Sequence, residues 1–441
     1  MDDNSEYLLY PKKQHINSLG PEILQTILKF YAYQSDWKGL LNLRLVCTWW
    51  KENLDEYFKS LKQYRHASTW NLGMGVQKPI MKLQNFKVKT RFLPNCATLI
   101  MKNWVIHEDP IETIITNMPK LKNITFYGCI NLSNVMVTAL VNNFCKLEYL
   151  EVSHCDLVEE DMSTIIRNLD SLNTLNARKP GRNITWKSLM YLSPNMRNLW
   201  IGMDHLSDPN LALRALANSP AKQIIKLGII VKFYETVDWK IITDSLTEVK
   251  MLKLTFNTRK STTLMDLINF RQLEELSLAE FCSDPNQSLL CDENVQPIIK
   301  YSRSLISLSL GGLNPTSCRI SLGTFQYLSR YKTQLISLRL MYANNVDDAC
   351  LEQLIGLINL KVLQLSTMRS ITTDGVKLII EKSLSLQRLV IEDCPNVSDM
   401  IIDPIVQWAT RKPTTMIKVQ LKMQSVKVSA CLPYNLKLDI K

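Results

Sequence analysis

His154 beside Cys155 is the one place where a base and a nucleophile adjoin in this chain of 441 residues. An imidazole that takes up a thiol proton creates a thiolate, the species that attacks carbonyls or binds metal. The other four histidines, His15, His66, His107 and His205, are dispersed, and no two cysteines have the two-residue spacing of a zinc knuckle or redox motif. Glycines are isolated apart from the pair Gly311–Gly312, so phosphate-loop and dinucleotide fingerprints are absent, and no serine lies in a nucleophile elbow. The pair therefore reads as a rim histidine next to a structural cysteine. The expectation is a non-catalytic chain with no cofactor and no metal.

What remains is the chemistry of contact, and a repeat positions it. A pattern of leucine, two free positions, leucine, one free position, leucine opens at Cys96, Leu121, Leu147, Leu172, Met196, Ile224, Val249, Leu273, Leu305, Leu335, Leu360 and Leu386, a mean interval of about 26 residues. In Leu147-Glu-Tyr-Leu150-Glu-Val152 the last two apolar residues are two apart, the period of a strand with one buried face. Apolar residues at helical spacing follow, as in Met162, Ile165, Ile166 and Leu169. Ser133, Asp347, Thr372 and Ser398 each lie twelve positions into their repeats, where a short side-chain oxygen can cap a helix, and Asp208-Pro209 gives the same signal. Cys129, Cys155 and Cys394 each fall eight positions in, where a small residue that tolerates burial suits the chain's bend off the strand.

One strand and one helix per unit cannot cover their own apolar face, so neighbours must stack. The expected fold class is α/β: a horseshoe solenoid with parallel strands on the concave wall and helices on the convex back. Outward strand positions then hold Lys102, Tyr127, Tyr149, Arg178, Trp200, Lys253, Arg339 and Arg388, with Tyr342 on the rim. Aromatic and arginine side chains dominate binding energy at interfaces, so this set is the candidate substrate-binding surface. Trp200, a large aromatic on a solvent-facing position, stands out, and reads either as a recognition residue or as a ring packed on Arg178 of the preceding strand.

The net charge is +11, yet residues 1–60 hold seven basic and eight acidic side chains, so the positive field belongs to the repeats. From Tyr57 to His107 there are nine lysines and arginines and no acid, a basic junction suited to steering an acidic or phosphorylated protein partner. No nucleic-acid motif accompanies it. No apolar run approaches membrane-spanning length, and the start, Met1-Asp-Asp-Asn-Ser-Glu6, lacks a signal peptide's order, so no membrane role and a cytoplasmic or nuclear location are expected. Eleven scattered cysteines, an odd number, read as reduced thiols. Longer intervals after Leu273 and Leu305 place extra polar sequence in loops.

Leu121–Leu132, Leu147–Leu157 and Leu386–Val397 resemble the cysteine-containing leucine-rich repeats, over about two thirds of the chain. Before them, Ile16-Asn-Ser-Leu19-Gly-Pro21-Glu22-Ile23-Leu24-Gln-Thr-Ile27-Leu28 and Leu40-Leu41-Asn-Leu43-Arg-Leu45-Val46-Cys47-Thr-Trp49-Trp50 resemble an F-box, with Gly20 intruding between the usual adjacent leucine and proline. Three short helices bury too little surface to stand alone, which leaves an apolar face for a partner. The resemblance implies that the partner is the Skp-type adaptor of a cullin-RING ubiquitin ligase, bound through Leu19, Pro21, Ile23, Leu24, Ile27, Leu28, Leu40, Leu43, Val46 and Trp50. It implies an F-box at 14–60, a basic junction and cap at 61–95, repeats at 96–416 and a C-terminal cap at 417–441. The expected role is the substrate-recognition subunit of an SCF-type ligase. The alternative is a non-ligase scaffold or inhibitor that binds an acidic protein, its N-terminal helices serving only as a cap.

Overall fold

A computed structural model describes residues 26, 41–45, 48–67, 80–107, 109–132, 134–181, 184–203, 208–232, 236–257, 264–282, 284–314, 317–422 and 432–440. The chain forms two compact units, one of Met1–Thr125 with Cys129–Asn131, the other of Phe126–Gly128 with Leu132–Lys441.

In the first unit, strand β1 (Gln63–Ala67) pairs in parallel with β2 (Thr98–Lys102). A helix at Thr48–Ser60 buries Leu54 and Phe58, and the Phe58 ring stacks on Phe92 at 5.7 Å. Arg44 holds Asp55 through two nitrogens at 2.6 and 2.9 Å and lays its guanidinium 4.1 Å from the Phe92 ring centre. Behind β1, His66 is buried between the ring of Trp104 at 4.8 Å and that of Phe86 at 5.2 Å, with Nδ1 3.0 Å from the Tyr64 hydroxyl. Burial, with the nearby Lys89 charge, pushes the His66 pKa down to about 4.

Strand β3 (Asn123–Tyr127) contributes residues to both units. In the second unit follow β4 (Tyr149–Ser153), β5 (Thr174–Ala177), β6 (Asn198–Gly202), β7 (Lys226–Lys232), β8 (Met251–Asn257) and β9 (Glu275–Glu280). Then come β10 (Ser307–Gly312), β11 (Ser337–Met341), β12 (Val362–Ser366), β13 (Arg388–Glu392), β14 (Ile417–Lys422) and β15 (Leu436–Ile440). Each of these pairs in parallel with the next, so the sheet follows chain order and the architecture is a leucine-rich-repeat solenoid. Alternation fixes the register: Leu150, Leu175, Leu199, Leu227, Leu252, Leu276, Leu308, Leu338, Leu363 and Leu389 form one buried column. Burying each such side chain stabilises by roughly 1.5–3 kcal/mol.

The corner after the strand repeats as faithfully. Asn103, His154, Lys179, Tyr342, Thr367 and Asp393, all seven positions into their repeats, have φ between 53° and 119°, and Gly128 has 65°. This left-handed residue turns the chain so that its N–H reaches the next strand, as Gly128 N does to the Ser153 carbonyl at 2.8 Å and Thr367 N to that of Glu392 at 2.7 Å. The following cysteine is then aimed at the preceding repeat. Cys129 Sγ donates to the Met101 carbonyl at 3.6 Å, Cys155 to Phe126 at 3.3 Å and Cys394 to Leu365 at 3.7 Å. The corner therefore calls for a small thiol donor, and burial pushes the Cys394 pKa up to about 11.

Helix starts match the sequence where their caps are described. The Asp208 carboxylate accepts from Asn210 N, Asp347 from Cys350 N and the Thr372 hydroxyl from Asp374 N. Ser398 differs: its hydroxyl meets Thr373 of the preceding repeat at 3.1 Å and makes no bond within its own turn. Ser133 lies outside the described residues. Among the described residues, three repeats depart from one strand plus one full helix and carry short turns at Lys187–Tyr191, Lys240–Thr243 and Met265–Asn269. Buried Trp186 and Trp239 supply the bulk in two of them, and Trp186 Nε1 donates to the Gly202 carbonyl at 2.9 Å. The extra sequence after β9 is pinned by Glu280, whose buried carboxylate accepts from Ser288 Oγ, Leu289 N and Leu290 N at 2.7, 2.9 and 3.2 Å.

Candidate protein-binding wall

Because side chains alternate along a strand, the parallel register sorts the outer face of the second unit's sheet into rows. The central row reads Glu151, Asn176, Trp200, Gly228, Lys253, Ser277, Ser309, Arg339, Gln364, Val390 and Gln420. Trp200, Lys253 and Arg339, named independently by counting, thus share one line. Arg178 follows β5 directly, against Gly202 of β6: a β-carbon on Gly202 would lie 3.1 Å from the Arg178 carbonyl carbon.

Trp200 is half-buried, and its indole lies over Gly228, where an added β-carbon would fall 2.1 Å from Cδ1. The indole thus rests on the following strand, where the missing side chain of Gly228 leaves room. Lys253 and Arg339 are exposed and Arg178 is half-buried. Burial first, then the positive charges of Arg178 and Arg339, hold the Lys253 ammonium below the ordinary lysine range, so the three cations share one field.

The other outward residues are more dispersed. Tyr149 donates its hydroxyl to Glu151 at 3.1 Å, and Asn176 Nδ2 donates to the other oxygen of that carboxylate at 3.2 Å. Tyr127 packs its ring 5.1 Å from that of His154, which occupies the left-handed corner, while the neighbouring Cys155 thiol is directed at a backbone carbonyl. Tyr342 holds the same corner position after β11. Arg388 begins β13 and stands in register with Lys418 and, through it, Lys437, forming a second basic line. Lys102 ends β2 in the first unit.

Of the adaptor-binding set, Leu19, Pro21, Ile23, Leu24, Ile27, Leu28, Leu40 and Val46 lie outside the described residues. Leu43 is half-buried in a helical turn, and Trp50 lies in the helix Thr48–Ser60. Leu45, between them, is 84% exposed.

Counting for aromatic and basic residues overlooks the small ones that shape the wall, Gly228, Ser277, Ala279, Ser309 and Gly311. Their offset in the repeat is the signal that finds them. Lys418 and Lys437 lie beyond the twelve repeats, on β14 and β15, and Glu280 is legible only from its contacts.

No family model matches the chain, and no curated protein matches it. Among solved structures, a chain of the crystal structure of the Rad7 and Elc1 complex in yeast is similar at a TM-score of 0.49 and 16% identity, over 96% of this chain and 98% of that one. A chain of the TLR13–ssRNA13 complex is similar at 0.42 and 17%, over 80% of this chain and 55% of that one. Both scores fall below 0.5, and the leucine-rich-repeat architecture rests on the strand register, the buried leucine column and the thiol corners.

Proposed function

We propose that this protein is the substrate-recognition subunit of an SCF-type cullin-RING ubiquitin ligase, its N-terminal helices docking to the Skp-type adaptor and its repeat wall capturing the protein to be ubiquitinated. The observation that carries this reading is the division of labour along the chain: an F-box-like signature through Trp50, then a sheet whose outer face gathers Arg178, Trp200, Lys253 and Arg339. Exposed Leu45, within that signature, adds apolar surface suited to a partner. The wall would contribute proximity, raising the effective concentration of the captured protein near a conjugating enzyme. Catalysis would belong to that enzyme.

A non-ligase scaffold is favoured by one observation. Leu54 and Phe58 are sealed within the first unit and Arg44 is drawn onto Phe92, as a cap helix would be. Co-purification separates the two readings. Adaptor recovered with the full chain and lost in the double variant Leu24→Ala, Trp50→Ala supports the ligase subunit; adaptor absent from both samples, or retained in both, supports the scaffold.

A further inference from the structure

Among the described residues β15 ends the strand order, bonded on one side to β14. Its other edge presents a row of backbone N–H and C=O groups, which is a template for a further strand. The strand is held firmly in place. Buried Asn435 donates through Nδ2 to the carbonyls of Ala409, Lys412 and Thr415 at 3.0, 2.9 and 3.0 Å, and its own carbonyl accepts from Ile417 N at 2.8 Å. The Tyr434 hydroxyl donates to the Pro413 carbonyl at 2.8 Å, which fixes a ring that is 84% exposed just ahead of the strand. Leu432 and Ile440 add exposed apolar surface before and at the end of it.

Register with β14 sorts the side chains of this edge. Leu436, Leu438 and Ile440 continue the inner rows of Ile417, Val419 and Leu421, passing from buried through half-buried to exposed. Lys437 and Asp439 face outward, both exposed and opposite in sign. Edges built to avoid pairing carry charges that repel their own kind, whereas this one complements its own reverse. In an antiparallel pair centred on Leu438, Lys437 of each copy stands opposite Asp439 of the other, and Leu436 opposite Ile440. Centring the pair on Lys437 or on Asp439 sets like charges face to face, and a one-residue slip sets apolar side chains of one copy beside charged ones of the other. Lys437 also stands in register with Lys418, so an acid on its open side relieves a like-charge contact. A carboxylate accepts on two oxygens, so Asp439 can take Lys437 of the second copy alongside a bond within its own chain.

We infer that β15 is a self-association edge that joins two copies of this chain, antiparallel about a two-fold axis at Leu438, with Lys437 and Asp439 forming reciprocal ion pairs. Such a contact closes at the dimer, because each copy spends the same edge. It is independent of adaptor docking and of capture on the wall.

Sedimentation velocity on the full-length chain, from nanomolar to high micromolar concentration, tests it. The mass is expected to rise from 50.8 kDa to twice that and no further. Lys437→Asp and Asp439→Lys are each expected to weaken the dimer at least about tenfold, since each turns two opposite-charge pairs into two like-charge pairs. Both exposed substitutions are expected to leave the melting temperature unchanged. An equimolar mixture of the two variants is expected to restore the dimer, because one edge then offers two acids and the other two lysines. A chain that stays at 50.8 kDa throughout, variants that dimerise as tightly as the native chain, or a mixture no tighter than its parts would overturn the proposal. Growth past the dimer would mean a head-to-tail contact and would overturn it as well.

Discussion

At the scale of single residues, two positions set the terms. Gly228 is the floor on which the Trp200 indole rests, so Gly228→Ala must push the ring away or shift the strand. The expected result is a loss of about 1–3 kcal/mol in urea unfolding, with a change in tryptophan emission, because overpacking a filled site costs that order. His66 is the second. Folded, it stays neutral down to about pH 4, whereas the unfolded chain takes up the proton near 6.5, so the unfolded state binds more protons in that window. Stability contributed by neutral His66 is therefore full above about pH 6.5 and is lost as pH falls towards 4, by about 3 kcal/mol. Unfolding measured across that range should show the loss in the native chain and a shallower one in His66→Phe. Neither role can be seen from residue type alone: a glycine in a strand and a histidine in a basic stretch gain their meaning from what packs on them.

At the scale of elements, the repeats are joined by bonds the period only hints at. Asp292 at the start of one helix accepts from Ser321 N at 2.8 Å, from the Ser321 hydroxyl, and from Thr324 Oγ1 at 2.6 Å in the next repeat, and Asp348 binds Thr372 in the same way. Lys332 and Lys412 reach back from helix ends to the carbonyls of Ser302 and Ser383, where a cation also complements the helix dipole. Glu280 does comparable work for the excursion after β9. Removing it strands two backbone N–H groups in the interior, while the Ser288 hydroxyl keeps the Ser317 carbonyl at 3.0 Å, so Glu280→Ala should cost about 2–4 kcal/mol and open residues 284–290 to limited proteolysis. A loop that resists protease in this variant would show that apolar Leu289 and Leu290 hold it without the carboxylate. Strand positions, the leucine column and the cysteine corners were legible in the sequence, because each follows from a period of two within a period of about 26. The shortened turns at Lys187–Tyr191 and Met265–Asn269 were not, since buried tryptophan and backbone turns substitute there for an amphipathic stripe.

At the scale of the whole molecule, the candidate wall was partly legible. Counting offsets named Arg178, Trp200, Lys253 and Arg339, and the register put the last three in one row; counting could not foresee that Trp200 leans on Gly228, since that depends on side-chain reach. If the chain's ends divide the work, damage at one should spare the other. The most direct measurement is affinity capture of the full chain and two double variants from the same cells, with adaptor and co-captured proteins quantified together. Arg178→Ala with Trp200→Ala is expected to lose captured protein while keeping the Skp-type adaptor, and Leu24→Ala with Trp50→Ala to lose the adaptor while keeping captured protein, all three chains melting within a few degrees of one another. Captured protein that stays with the wall variant, or that leaves with the adaptor in the N-terminal variant, would contradict a wall that selects and a head that docks.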